Sequence, residues 1–269
     1  MNKSKLVLAY SGGLDTSYSL QKLSQDGFEV HAVSINTGGF SQNEIEIIQE
    51  KAYQMGAHSY KNIDALDSFY NKILKFLIYG NVLRNNNYPL SVSAERIIQA
   101  TEVINYAKKI GAKYIAHGST GAGNDQVRFD MIFQVLAPEI KIITLIRDLQ
   151  LSREDEIKYL KTQGINLPWE KAKYSINHGL WGTSVGGAET LTSNSPLPDV
   201  AYPSQLKTKT PEFLTLDFKK GELIGVNETV GSPVKLIQKL QEHAQKFAIG
   251  RDIHVGDTII GIKGRVGFE

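Results

Sequence analysis

AYSGGLDTS, residues 9–17, follows the apolar run KLVL and precedes YSLQKLSQDG. The flanking patterns indicate a buried strand before it and a helix after it, so the stretch forms a strand-to-helix turn. In an open parallel sheet, ligands bind at the carboxyl ends of the strands, where a helix N-terminus offers unpaired N–H groups and a positive dipole end. Gly12 and Gly13 permit positive φ angles and a close backbone approach to a phosphate. The stretch therefore predicts an α/β fold with an anion-binding loop at its first turn.

Strand and helix patterns alternate through the first half of the chain, which predicts βαβ units and a doubly wound, mainly parallel sheet. Helices are expected at 16–25, 42–55, 91–110 and from Asp67 towards Tyr79. Ser152 and Asp155 form a capping box that should begin another helix. The predicted strands are KLVLAY, EVHAVSI (29–35), AHSYKNID, AKYIAHG and KIITLI (141–146).

The pattern changes near LPW, residues 167–169, where we place a domain boundary. Residues 175–205 are rich in Gly, Ser, Thr and Pro and show no sustained periodicity. FLTLDFKKGELIGVN then predicts a hairpin, a helix follows with Pro233 in its first turn, and DTIIGIKGRVGF is typical of a strand. We therefore expect a nucleotide-binding domain over 1–168 and a partial α+β domain over 169–269.

Composition excludes several classes of function. The 269 residues include no cysteine, which rules out disulfides, thiolate zinc sites and a cysteine nucleophile, and is consistent with a cytoplasmic location. The formal charge is +2 and no dense run of Lys or Arg occurs, so nucleic acid is not an expected partner. No apolar stretch approaches the roughly 20 residues that a membrane span needs, so no membrane partner is expected.

The opening loop has the chemistry of a phosphate site. The hydroxyls of Ser11, Thr16 and Ser17 can donate to phosphate oxygens. Asp15 cannot bind phosphate directly, so we expect it to cap the helix or to hold Mg²⁺. The loop lacks the GK[ST] ending of a Walker A loop and the third glycine of a dinucleotide fingerprint.

A second polar loop, AHGSTGAGNDQVRFD (116–130), follows another predicted strand. Its glycines and hydroxyls expose backbone N–H groups to anions. Asn124 offers a donor and an acceptor, Asp125 suits an α-amino group, and Arg128 can grip a carboxylate or phosphate. We expect His117 to cap the strand end rather than to act as a base.

SGGLDTS matches SGGxD[ST], the signature of the ATP pyrophosphatases, or PP-loop enzymes. The two loops, followed in order by LAPEIKII, YSINHGLWGTS and GRDIHVGDTIIGIKGR, resemble the argininosuccinate synthase family across the whole chain. The resemblance implies an adenine nucleotide hydrolase-like sheet and an ATP-dependent ligase of arginine biosynthesis. That ligase joins citrulline to aspartate through a citrulline-adenylate and releases AMP and pyrophosphate. It also implies Mg²⁺ and, for the full-length enzyme, a homotetramer.

The resemblance assigns site residues one at a time. The ATP-binding set is Ala9, Tyr10, Ser11, Gly12, Gly13, Leu14, Asp15, Thr16, Ser17, Ile35 and Gly118. The citrulline-binding set is Tyr88, Ser93, Asn124, Arg128, Ser175 and Ser184. The aspartate-binding set is Thr120, Asn124 and Asp125. The expected catalytic residues are Ser11, Asp15, Asn124, Asp125 and Arg128.

The chain departs from the family pattern in places. Ala122 stands where many members have lysine, and the family's citrulline-binding glutamate and tyrosine fall on Gly256 and Phe268. Asp257 is adjacent and could supply the acidic group. Members also run well beyond 269 residues, so we expect this chain to be a truncation. Three alternatives share the first loop: a tRNA-modifying PP-loop enzyme, a glutamine-dependent synthetase, and a non-catalytic ATP-binding module.

Overall fold

The computed structural model describes residues 3–121, 123–169 and 173–269. A five-stranded parallel sheet has the order β3-β2-β1-β4-β5. Its strands are β1 (Lys5–Ala9), β2 (Glu29–Asn36), β3 (Ser59–Asp64), β4 (Tyr114–Ala116) and β5 (Lys141–Ile143). The strand order reverses between β1 and β4, and such a switch point opens a crevice at the carboxyl ends of the two strands. The predicted fold class is confirmed.

Helices α1, α2 and α8 contribute to one core against this sheet. Leu6 and Leu8 of β1 are completely buried there, together with Leu20 of α1 and Leu160 of α8. Because side chains alternate along a strand, Val7 points to the opposite face, where it is also completely buried. The helices are α1 (Leu14–Gln25), α2 (Gln42–Gln54), α3 (Leu66–Phe69), α4 (Lys75–Tyr79), α5 (Ser91–Ile110), α6 (Asp125–Leu136), α7 (Leu145–Asp148), α8 (Arg153–Thr162) and α9 (Pro233–Gln245).

Two segments of the first half differ from the prediction. The helix expected from Asp67 to Tyr79 is divided into α3 and α4 by one turn of π-helix, Tyr70–Leu74. The strand expected over 141–146 is wrong beyond Ile143, because Thr144 starts the helical turn α7 and its hydroxyl donates to Asp148 at 2.8 Å. Short apolar runs fit either a strand or a helix, so periodicity alone could not place this change.

The second half forms two antiparallel sheets, in the orders β11-β12-β7-β6 and β10-β9-β8. The strands are β6 (Ser175–Gly179), β7 (Gly182–Gly186), β8 (Leu216–Lys219), β9 (Glu222–Val226), β10 (Thr229–Val230), β11 (Asp252–Asp257) and β12 (Lys263–Phe268). The predicted hairpin is confirmed as β8 and β9. Its turn residues Lys220 and Gly221 have φ angles of 52° and 84°, both in the left-handed region.

The sequence patterns missed four strands: β6, β7 and β11, each five or six residues long, and β10, which has only two residues. Residues 258–262, expected to be part of a strand, form a turn instead, in which the Thr258 N–H donates to the Ile262 carbonyl at 2.7 Å. Short strands rich in Gly, Ser and Thr show too little alternation to be recognised.

The chain divides into two spatial units. The first unit contains Met1–Asn36, Phe40–Ala65 and Arg96–Lys171. The second contains Thr37–Gly39, Leu66–Glu95 and Ala172–Glu269. The second unit therefore includes two segments from the first half of the chain, Thr37–Gly39 and Leu66–Glu95. Among the described residues, no helix has the length and hydropathy needed to cross a membrane.

Candidate active site

The loop after β1 has a backbone shape that requires glycine at position 12. Gly12 is buried with a φ angle of 75°. A Cβ at this position would lie 3.1 Å from Cγ1 of Ile48 on α2. Any other residue would therefore be strained by its backbone angle and crowded by α2.

Hydroxyl groups hold the loop against the first turn of α1. Ser11 Oγ lies 3.2 Å from Thr16 Oγ1, which in turn donates to the Gly13 carbonyl at 3.2 Å. Tyr10 shares a hydrogen bond of 3.2 Å with Ser17, and burial raises the pKa of Tyr10 to about 12, so the phenol stays neutral. Gly13 is the N-cap residue and has no side chain with which to cap the helix. The first N–H groups of α1 can therefore serve an anionic ligand.

Asp15 lies in the first turn of α1, close to Glu156 of α8. Glu156 is only 2% exposed. Burial and the neighbouring Asp15 raise the pKa of Glu156 to about 8, and burial also raises the pKa of Asp15. Burial and the neighbouring carboxyl group therefore favour the protonated form of Glu156. Two adjacent carboxyl groups form a donor set that suits Mg²⁺, whose preferred ligands are oxygens.

The second polar loop touches the first. A Cβ on Gly118 would lie 2.8 Å from Thr16 Cγ2 and 3.1 Å from the Thr16 backbone nitrogen. Gly118 therefore lets the loop after β4 pack directly on the N-terminus of α1. Within the first unit, the structure brings together the two segments that the sequence singled out.

His117 positions the second loop. Its Nδ1 accepts a hydrogen bond from the Ser119 N–H at 3.1 Å, and its Nε2 donates to Asp130 Oδ1 at 3.0 Å. Arg147 donates to the other oxygen of Asp130 and to Thr144 Oγ1. Both ring nitrogens of His117 are thus engaged, and the imidazole is held as the neutral Nε2–H tautomer. His117 ties the loop to α6 and α7.

Asp125, at the start of α6, is clamped by two arginines. Arg96 Nε and Arg128 Nη1 each donate to its carboxylate at 2.8 Å. Burial would raise the pKa of Asp125, but the two guanidinium groups outweigh it and hold the pKa below its ordinary value. The carboxylate is therefore ionised and fixed in place, as recognition of an ammonium group requires. Asn124 is the N-cap residue of α6, and Thr120 is exposed on the same loop.

The remaining residues of the predicted citrulline set belong to the second unit. Tyr88 is buried, and its ring stacks on His254 with centroids 4.9 Å apart. Ser184 lies buried on β7, paired with Asn177 and with Phe268. The other two serines are Ser93 on α5 and Ser175, the exposed first residue of β6.

The positions where the chain departs from the family pattern lie close to Tyr88. The Phe268 ring centroid is 5.4 Å from that of Tyr88. A Cβ on Gly256 would lie 2.8 Å from His254 Nε2, so a side chain there requires His254 to shift. The Asp257 carbonyl accepts a hydrogen bond from Arg84 at 2.9 Å. Ala122 lies outside the described residues.

The two units divide the predicted site residues between them. The first unit holds the ATP-binding set, including buried Ile35 on β2, and also Thr120, Asn124, Asp125 and Arg128. The second holds Tyr88, Ser93, Ser175 and Ser184.

Sequence reasoning missed two residues that contact the predicted ones. Arg96 contacts Asp125, and Glu156 contacts Asp15. The sequence offers little that would predict these contacts. The capping box at Ser152 correctly predicted α8, confirmed by a reciprocal cap with Asp155, but not which of its residues faces Asp15.

Comparison with known proteins gives the same family that the sequences of the two loops resemble. Residues 5–166 match the family described as arginosuccinate synthase N-terminal HUP domain, and residues 174–269 match the arginosuccinate synthase C-terminal domain. Argininosuccinate synthase of Methanocaldococcus jannaschii is 39% identical over 98% of this chain and 67% of the relative. Those of Sulfolobus acidocaldarius and Sulfurisphaera tokodaii are 38% and 36% identical, each over 98% of this chain and 68% of the relative. The chain thus spans about two thirds of the length of these relatives.

Proposed function

Because the chain belongs to the argininosuccinate synthase family, we propose that it ligates citrulline and aspartate at the expense of ATP, which is cleaved to AMP and pyrophosphate. One observation carries the proposal. The loop at 9–17 and the loop after β4 meet at the switch point of the parallel sheet, with Gly118 packed on Thr16. A phosphate cradle thereby lies beside groups suited to binding an amino acid.

The first loop is proposed to hold the phosphates of ATP. The N–H groups of the first turn of α1 and the hydroxyls of Ser11 and Thr16 would donate to the phosphate oxygens. Asp15 and Glu156 are the carboxyl groups that would hold Mg²⁺, which offsets the charge of the leaving pyrophosphate. Ala9, Leu14 and Ile35 would lie on the nucleoside side of the same site.

The proposed reaction has two steps. The ureido oxygen of citrulline attacks the α-phosphorus of ATP, the α–β phosphoanhydride bond breaks, and pyrophosphate leaves. The amine of aspartate, after losing a proton, then attacks the activated carbon and expels AMP. No covalent intermediate with the protein is needed, so the site works by positioning and electrostatic stabilisation.

The second loop is proposed to orient the two amino acids. Asp125, held ionised by Arg96 and Arg128, would pair with the ammonium group of aspartate. Thr120 and Asn124 would complete this subsite. The family resemblance further proposes citrulline-binding residues in each unit: Asn124 and Arg128 in the first, and Tyr88, Ser93, Ser175 and Ser184 in the second. A cytoplasmic location, a homotetramer and a domain boundary near residue 168 belong to the same proposal and come from the family resemblance and the sequence pattern.

A pyrophosphate-release assay tests the reaction. We expect ATP with citrulline to yield pyrophosphate in the absence of aspartate, and argininosuccinate to form only when aspartate is added. Asp125→Asn should lower argininosuccinate formation at least tenfold, because it removes the charge that holds the amine. Its citrulline-dependent pyrophosphate release should be much less affected.

Two results would contradict the proposal. Pyrophosphate release that proceeds equally well with unrelated amides, or without citrulline, would exclude this substrate. ATP binding without any AMP formation would instead indicate a non-catalytic nucleotide-binding module.

A further inference from the structure

A cluster of two histidines and a glutamate lies at one edge of the parallel sheet. Glu29 and His31 are on β2, and His58 immediately precedes β3, the edge strand. The three residues lie at the amino ends of these strands, whereas both loops of the candidate active site follow the carboxyl ends of β1 and β4. The cluster is therefore separate from the proposed nucleotide site.

The distances within the cluster are close to those of a metal site. Glu29 Oε1 lies 3.0 Å from His31 Nε2 and 3.6 Å from His58 Nε2. One ligand atom from each of the three residues lies within 4.8 Å of the other two. Tetrahedral Zn²⁺ with bonds of about 2.0–2.1 Å holds its ligand atoms about 3.3–3.4 Å apart. The two distances from Glu29 Oε1 to the imidazole nitrogens therefore lie within a few tenths of an ångström of the separation that one bound ion needs.

The neighbours of His31 orient its ring. His31 is 7% exposed, and its Nδ1 lies 2.7 Å from Ser59 Oγ. In this structure the His31 Nε2–H donates to Glu29 Oε1 at 3.0 Å, and Nδ1 accepts from the Ser59 hydroxyl. When Nε2 binds a metal ion, the same hydroxyl can accept from Nδ1–H, which is the support found around metal-bound histidines.

The Glu29 carboxylate supplies the negative charge of the cluster. It can only accept hydrogen bonds, and it faces the Nε2 atoms of both His31 and His58. A divalent cation would replace the Nε2 proton that His31 donates to this carboxylate. Lys5 is adjacent to Glu29 across the β1–β2 register, but its ammonium group donates to the Ile110 carbonyl at the end of α5.

We propose that Glu29, His31 and His58 form a site for a divalent transition-metal ion of the zinc type, with water as the remaining ligand. Two imidazoles and one carboxylate are borderline ligands that favour Zn²⁺ over the oxygen-seeking Mg²⁺ and Ca²⁺. The absence of cysteine from the chain removes any competing thiolate site. The bound ion ties β2 to the segment entering the edge strand β3, and so it stabilises the first unit.

Zinc titration of tag-free, chelator-treated protein tests the site. Isothermal titration calorimetry is run without ATP and with excess Mg²⁺, which occupies the carboxyl pair at Asp15. We expect one Zn²⁺ per chain with micromolar or tighter affinity, and a rise in melting temperature on adding Zn²⁺. Glu29→Gln and His58→Gln should each weaken binding at least tenfold and abolish the rise. The His58 side chain is 58% exposed, so this variant should fold normally.

His243→Gln is the matched control. His243 Nε2 also faces a glutamate, Glu212 at 3.2 Å, but the three-residue cluster identified among the described residues does not include this pair. This variant should bind Zn²⁺ as the unmodified chain does. Failure of the unmodified chain to bind Zn²⁺, or equal binding by His58→Gln, would overturn the proposal. Neither result bears on the ligase reaction, which is assayed separately.

Discussion

Asp130 lies between His117 and Arg147 and connects the second polar loop to α7. Burial would raise the pKa of Asp130, but the hydrogen bonds from His117 and Arg147 outweigh it and hold the pKa below its ordinary value. An acid with a depressed pKa stabilises the fold above its unfolded pKa of about 3.9, and this stability is lost as the pH falls through the folded pKa. The contribution of Asp130 is therefore present at neutral pH and disappears in acid.

We expect Asp130→Asn to lower the free energy of unfolding at pH 7 by about 1–3 kcal/mol, because hydrogen bonds to charged groups are lost. Between pH 5 and pH 3.5 its stability should depend less on pH than that of the unmodified chain. Urea denaturation across this range measures both effects. Glu139→Gln, which breaks an exposed ion pair with Lys108, should change little. An unchanged free energy of unfolding for Asp130→Asn at pH 7 would mean that the contact of Asp130 with His117 and Arg147 does not hold the second polar loop.

The sequence indicated which residues of the two loops belong to the site, but not which distant residues contact them. The sequence indicates Asp15 and Asp125 because they stand in glycine-rich turns after predicted strands. It does not reveal that Arg96 and Glu156 contact them, since those residues are brought in by helices from elsewhere in the chain. A pairing between distant positions leaves no periodic signal in one sequence. The raised pKa of Glu156 follows from that tertiary contact and could only be found in the structure.

Long elements with clear boundaries were predictable, and short ones were not. The helix at 91–110 has the predicted bounds, and α8 begins at its capping box. Strands β6 and β7 were missed because five residues of mixed polarity cannot show a reliable period of two. Each of the two loops was predicted to follow a strand, but the contact between them was not predicted.

We expect Gly118→Ala to separate these two elements. The added methyl group would overlap Thr16 and the backbone of α1, where nothing flexible can move aside. ATP affinity should fall at least tenfold, measured by calorimetry, and the melting temperature should drop. Gly123→Ala in the same loop is the matched control, because its Cβ would lie 3.9 Å from the Asp125 backbone nitrogen and, apart from its chain neighbours, within 4 Å of no other atom of the described residues. Equal ATP affinity in the two variants would show that close packing of the loops is not needed.

At the scale of the whole molecule, each of the two spatial units is built from separate stretches of the chain. The sequence pattern changes near residue 168, yet Leu66–Glu95 belongs to the same spatial unit as Ala172–Glu269. Within that unit, Tyr70 donates to Glu222 at 3.1 Å, and Trp181 Nε1 donates to the Pro89 carbonyl at 2.9 Å. A change of composition along the chain marks where a segment ends, but it does not show which distant segment it packs against.

We therefore expect a fragment of residues 1–169 to leave its segment 66–95 without most of its partners. Arg84, Asn85 and Asn87 each donate a side-chain hydrogen bond to β11, which the fragment lacks. Hydrogen exchange at 66–90 should be at least tenfold faster in the fragment than in the full chain, because its tertiary hydrogen bonds are gone. Strands β1 and β2, whose partners all lie within the fragment, should keep their protection and serve as the internal control. Equal protection of 66–90 in both proteins would show that this segment is held by the first unit, in line with a linear boundary near residue 168.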